Sequence, residues 1–235
     1  MTKRHTVLCV IGTRPEAIKM APVIRALSAS HWANCRVITT AQHRDLLDQM
    51  LSRLAIHVDH DLNLMQEDQS PSSLLARMLP ALDNVCRAET PNAVLAQGDT
   101  TTVFATALTA FHQRIPFGHV EAGLRTRDLE HPFPEEGYRQ MVSRIAHWHF
   151  APTQTAAAAL HAEGIIHSRI HVTGNTCIDT LLQTTATLPP LPSDEKRMIL
   201  LTAHRRENFG APLLSIFQSI LKIVERFPDV SLVYP

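Results

Sequence analysis

The sequence predicts an α/β protein built on a doubly wound parallel sheet. Short apolar segments such as Thr6–Ile11, Ala93–Ala96 and Phe117–Val120 alternate with longer segments whose apolar residues recur at helical spacing. The short segments are nearly continuous in apolar character, the pattern of strands covered on both faces. They run into turns such as Gly12-Thr13 and Gln97-Gly98 that open helices, as repeated strand–helix–strand units require.

Thr6–Ile11 reads as a buried first strand, and the turn Gly12-Thr13-Arg14-Pro15-Glu16 follows with its proline suited to a first helical turn. The helix from Pro15 to Ser28 places Ile18, Ala21, Ile24 and Leu27 on one face, and Pro22 inside it is expected to kink or break it. Cys35–Thr40 is a second strand, closed by Ala41-Gln42-His43-Arg44 and followed by a helix from about Asp45 to Leu54. From Ser70 to roughly Arg87 runs a long helix with Leu74, Leu75, Met78, Leu79 and Leu82 at helical spacing. Strand Ala93–Ala96, helix Thr101–His112, strand Phe117–Val120, helix Glu135–His147, strand Trp148–Ala151 and helix Thr153–Glu163 continue the alternation.

Ile170–Asn175 reads as a crossover, followed by a helix from Thr176 to Thr184 and a stiff proline-rich linker over Leu188–Ser193. Strand Met198–Leu201, loop Thr202–Gly210, helix Pro212–Phe227 and strand Ser231–Val233 then restart the pattern. The expected division is a first domain over 1–170 and a crossover, linker and incomplete second domain over 171–235.

Composition narrows the function classes. Acidic and basic residues balance at 22 each, and no basic run occurs, which argues against bulk nucleic-acid binding. The four cysteines, Cys9, Cys35, Cys86 and Cys177, form no C-x-x-C pair, so free thiols in a reducing cytoplasm are expected. The apolar run before Gly12 is too short for a signal segment or a membrane span. His147-Trp148-His149 has no third ligand close in sequence, so no metal site is expected.

In an open parallel sheet, ligands sit beyond the carboxyl ends of the strands. Asp99 and Glu121 follow two such ends, and Glu135 opens the next helix. Each has a plain structural reading: a helix N-cap for Asp99, a solvated loop carboxylate for Glu121, a first-turn residue favoured by the helix dipole for Glu135. Three carboxylates at one edge of one sheet favour a site for proton transfer. Arg14 and Lys19 flank a glycine turn at a helix start, a setting for a phosphate, although the turn lacks both the G-x-G-x-x-G and the G-K-[ST] patterns. His204-Arg205-Arg206 forms a basic cluster at another strand end, suited to a diphosphate or simply a surface loop. Arg139, on the helix that Glu135 opens, joins Arg14, Lys19 and Arg205 as a candidate substrate-binding residue.

These residues fall within runs that resemble one known family. GTRPEAIKMAPV from Gly12, TAQHRDLLDQM from Thr40, QGDTTTVFATAL from Gln97, GHVEAGLRT from Gly118, PFPEE from Pro132, TGNTCID from Thr173 and HRRENFG from His204 appear in the order of the non-hydrolysing UDP-N-acetylglucosamine 2-epimerases. Those bacterial enzymes interconvert UDP-GlcNAc and UDP-ManNAc. The resemblance implies a GT-B architecture of two Rossmann-like domains, here a complete first one and the beginning of a second. It implies roles in catalysis or substrate binding for Asp99, Glu121, Glu135 and His204, and substrate contacts from Arg14 and Lys19. It further implies no metal or redox cofactor, a homodimer, and a second UDP-GlcNAc acting as allosteric activator in a region to which Gln42 and His43 match. The product would supply ManNAc-type sugars for surface polysaccharide. Tyr138 stands where the family typically has asparagine.

Family chains continue beyond Pro235, so this length is expected to lack most of the uridine and diphosphate pocket and to be impaired. Two other readings remain: a catalytically silent fragment with a Rossmann-type fold, and a hydrolysing relative that releases ManNAc and UDP.

Overall fold

A computed structural model describes residues 4–40, 44–66, 68–189, 196–203 and 210–234. Gln42, His43, His204 and Arg205 lie outside the described residues. The chain divides into two compact units, 1–187 and 188–235.

The first unit is a parallel sheet of β1 (His5–Ile11), β2 (Ala33–Thr39), β3 (His60–Asp61), β4 (Ala93–Gln97), β5 (Phe117–Val120), β6 (Trp148–Ala151) and β7 (Ile170–Val172). Their order across the sheet is β3-β2-β1-β4-β5-β6-β7. The chain winds outward from β1 to one edge and returns to lay β4 beside β1, which puts the switch point between those two strands. The connecting helices are α1 (Arg14–Ala29), α2 (Arg44–Arg53), α3 (Pro71–Glu89), α4 (Thr101–His112), α5 (Glu135–Ile145) and α6 (Gln154–Ala162), with α7 (Thr176–Thr187) after β7.

The continuous apolar strands are explained by burial on both faces. Leu8, Val10, Val94, Ala96 and Phe117 pack with Met78 and Leu82 of α3, Val103 and Ala107 of α4 and Val142 of α5. Cys9, Ile11, Val37, Leu95 and Val120 point the other way, among Met20 and Ile24 of α1 and Leu47 and Leu51 of α2. Gly12 leaves β1 so close to α4 that an added Cβ would stand 2.1 Å from the Thr102 hydroxyl oxygen.

The two-residue β3 has too little sequence to announce a strand. The compact first unit runs to Thr187 and takes in β7, which pairs in parallel with β6, and α7, which packs on α1. Pro22 lies inside α1 without breaking it, and the helix runs for 16 residues. Proline offers no N–H to the Ile18 carbonyl four residues earlier, and the Thr180 hydroxyl of α7 donates to that carbonyl instead, at 2.6 Å.

The second unit is one strand–helix–strand motif. β8 (Arg197–Leu200) pairs in parallel with β9 (Val230–Val233), and α8 (Ala211–Arg226) joins them. Arg197 is ion-paired with Asp229 at 2.6 Å, and the Tyr234 hydroxyl donates to the Ala203 carbonyl at 2.8 Å. A two-stranded sheet has too little area to cover an amphipathic helix, so Leu214 and Leu221 of α8 stay exposed. Among the described residues, no helix is long and apolar enough to cross a membrane.

Candidate active site

The carboxyl ends of β1, β4 and β5 carry the candidate residues. Glu121 follows β5 in a left-handed backbone conformation, φ 64°. A side chain with a Cβ is strained there by about 1–3 kcal/mol, and such strain gathers at functional sites. Its carboxylate is no solvated loop group. The Lys19 ammonium lies 2.5 Å from Oε2, the Gln97 amide also donates to Oε2, and the Asn175 amide donates to Oε1 at 2.7 Å. Four segments thus meet on one side chain: α1, the end of β4, the end of β5 and the turn after β7.

Asp99 does not cap α4. Thr100 does, its side-chain oxygen accepting from the Val103 N–H. Asp99 instead accepts a hydrogen bond at Oδ2 from Arg139 Nε of α5 at 2.8 Å, and Arg139 Nη2 lies 2.6 Å from the same oxygen in the ion pair. Arg139 also bonds the buried carboxylate of Glu136 at 3.1 Å. Burial opposes the charge on Glu136, yet bonds from Gln140, the N–H groups of Thr126 and Arg127, and Arg139 together hold its carboxyl below the usual range. Glu136 therefore secures the loop after β5 and fixes Arg139 against Asp99. Burial likewise works against the Arg139 cation, but its two carboxylate partners leave its pKa raised.

Glu135 opens α5, and its Oε2 is buried with no hydrogen-bond partner among the described residues. It lies one helical turn before Arg139, on the same face of α5. Tyr138 stacks on Phe104 of α4, with ring centroids 5.0 Å apart, so an aromatic contact fixes this part of α5.

Arg14 stands exposed at the start of α1. The N–H groups of Gly12 and Thr13, which a phosphate would use, are donated to Glu16 Oε2 at 2.5 and 3.2 Å. Glu16 is 2% exposed and also accepts from the Thr100 hydroxyl at 2.6 Å. The glycine turn is thus occupied by a carboxyl group from its own helix, and that group ties the β1–α1 turn to the β4–α4 turn. Burial pushes the Glu16 carboxyl up to about 7 against those hydrogen bonds.

Beneath the loop that presents Asp99, His119 of β5 bonds the Gly98 carbonyl at 2.7 Å and pairs in register with His149 of β6. Burial pushes both imidazoles down to about 4, so the pair is neutral near pH 7. Among the described residues, no group of three or more His, Cys, Asp or Glu side chains could hold a metal ion.

Gln97, Asn175, Glu16 and Glu136 were not singled out from sequence. Gln97 and Asn175 stood in plain view inside QGDTTTVFATAL and TGNTCID, but a lone amide carries no chemistry until its partner is known. A cavity of about 840 Å³ beside α1, lined by Val23, Leu95, Val120 and Phe150, contains none of the carboxylates.

The sequence profile of one family, UDP-N-acetylglucosamine 2-epimerase, matches residues 25–235. The UDP-N-acetylglucosamine 2-epimerase of Neisseria meningitidis serogroup A is 44% identical over 241 residues, covering 97% of this chain and 65% of that protein. That of Escherichia coli K12 is 45% identical over 242 residues, covering 97% of this chain and 64% of that protein. Among solved structures, the Neisseria meningitidis UDP-GlcNAc 2-epimerase bound to UDP-GlcNAc superposes with a TM-score of 0.87 at 44% identity, over 98% of this chain and 65% of that one. The Methanocaldococcus jannaschii UDP-GlcNAc 2-epimerase in complex with UDP-GlcNAc and UDP gives a TM-score of 0.81 at 34% identity, over 97% of this chain and 65% of that one. The chain therefore spans less than two thirds of the length of these relatives.

Proposed function

The chain belongs to the UDP-N-acetylglucosamine 2-epimerase family, and on that premise we propose that it carries the acid–base half of a UDP-GlcNAc 2-epimerase site. The observation that carries this reading is the convergence of Lys19, Gln97 and Asn175 on Glu121, together with the Asp99–Arg139 pair and a Glu135 oxygen that has no partner among the described residues.

The proton on C2 of UDP-GlcNAc is not adjacent to a carbonyl, so its direct removal is unfavourable. The reaction proceeds by elimination. A carboxylate takes the C2 proton, the C1–O bond to the diphosphate breaks, and 2-acetamidoglucal and UDP are formed. UDP then adds back at C1 while a carboxylic acid returns a proton to C2 from the other face, giving UDP-ManNAc. Such a route needs carboxyl groups on both sides of the ring and cations for the departing diphosphate. Asp99, Glu121 and Glu135 are assigned to the first need. Arg14 and Lys19 are assigned to the second, with His204 and Arg205 from outside the described residues. Gln42 and His43, also outside them, are assigned to a second UDP-GlcNAc site, and the working form is a homodimer in the cytoplasm whose product feeds surface polysaccharide.

The deciding experiment is proton NMR of the chain with UDP-GlcNAc in D2O. Deuterium at C2 together with UDP-ManNAc is the expected result. UDP and 2-acetamidoglucal alone would restrict the reading to elimination. Free ManNAc with UDP would replace epimerisation by hydrolysis, and an unchanged spectrum would overturn the assignment for this chain.

A further inference from the structure

We infer that Asn175 is a positioning residue for Glu121, held against it by the docking of α7 on α1. The inference rests on the reading that Glu121 takes part in proton transfer. Lys19 and Gln97 both engage Glu121 at Oε2, whereas Asn175 engages Oε1 at 2.7 Å. Asn175 is thus what sets the rotation of the carboxylate plane, which contacts at a single oxygen leave free.

The orientation of the Asn175 amide follows from its other bond. Its Oδ1 accepts from the Cys177 N–H at 3.1 Å, at the start of α7, so its NH2 must be the group that faces Glu121. The helix behind it is anchored on the residues that carry Lys19. The Thr176 hydroxyl donates to the Lys19 carbonyl at 2.6 Å, and the Thr180 hydroxyl donates to the Ile18 carbonyl, also at 2.6 Å. Pro22 leaves that second carbonyl open by offering no N–H. The start of α7 therefore grips both members of the Lys19–Glu121 pair, one by its backbone and the other by its side chain. This junction has no role among the residues that the sequence or the family resemblance assigns.

The plain alternative is that Asn175 only caps α7, and one substitution separates the two. Serine caps as well as asparagine, so Asn175→Ser preserves a cap while it removes the NH2 donor that faces Glu121 and adds no charge. Three quantities are measured on the full chain: kcat and KM for deuterium exchange at C2, the melting temperature, and the side-chain carboxyl carbon resonance of Glu121. The expected result is a loss in kcat of about 10- to 100-fold with KM changed by about two-fold or less, an unchanged melting temperature and a displaced Glu121 resonance. Thr176→Val should show a smaller loss in kcat that Thr176→Ser restores.

A wild-type kcat in Asn175→Ser, with the Glu121 resonance unmoved, would overturn the inference. A displaced resonance in a chain whose wild-type form exchanges no deuterium would uphold the positioning and reject the proton-transfer reading instead.

Discussion

At the scale of single residues, Asp99 and Glu121 are carboxylates whose charges are met by cations from other elements. Thr100 takes the cap of α4, which leaves Asp99 to Arg139, and Glu121 is surrounded by donors. Asp99→Asn and Glu121→Gln keep shape and remove the ability to exchange a proton, so each should lower kcat/KM for UDP-ManNAc formation by about 100-fold or more. A loss below about three-fold in either would remove that residue from the acid–base set.

Glu16 supports a separate prediction about stability. Its carboxyl has a folded value near 7, above the ordinary value of 4.5, because burial disfavours the charge. An acid raised on folding contributes stability that is present below its unfolded value and is lost as pH rises through its folded value. Glu16→Gln mimics the protonated side chain. It should match the wild type near pH 4 and exceed it near pH 8, by up to about 3 kcal/mol. Urea midpoints at the two pH values test this, and parallel shifts of both proteins would refute it.

At the scale of elements, helical and strand spacing located α4, β5 and β6 with the bounds the structure has, because each is a short, strongly patterned segment between clear turns. Pro22 sits inside α1 without breaking it, and the reason is tertiary. The rule that proline disrupts a helix describes a helix alone, and α1 is not alone: Thr180 is 6% exposed and donates to the carbonyl that proline leaves open. Thr180→Val should therefore cost about 1–3 kcal/mol by leaving that carbonyl unsatisfied, and Thr180→Ser should recover most of it. Denaturant unfolding of the three proteins measures both. A neutral Thr180→Val would mean that water or a shift of α7 replaces the hydroxyl.

At the scale of the whole molecule, the first unit closes at Thr187 because β7 completes the sheet beside β6 and α7 covers α1. A chain ended at Thr187 should retain a single cooperative thermal transition. A chain ended at Ile170 loses most of β7 and all of α7, and should melt lower by roughly 5–10 °C. Equal melting of the two would show that β7 and α7 are not part of the cooperative unit. In the second unit, one strand pair is present among the described residues, and Leu214 and Leu221 of α8 are exposed.

The sequence by itself determined the α/β class, the turns that carry Asp99, Glu121 and Glu135, and the family to which their motifs point. Periodicity and turn chemistry act between near neighbours, so they are written in the local order of residues. The partners of those residues were decided by tertiary structure alone. Glu121 and Asn175 are 54 positions apart, and Glu16 and Thr100 are 84 apart. They meet because the parallel register, with β4 laid beside β1, brings separate strand ends to one edge of one sheet. Register and topology are properties of the packed sheet, and no stretch of the chain contains them.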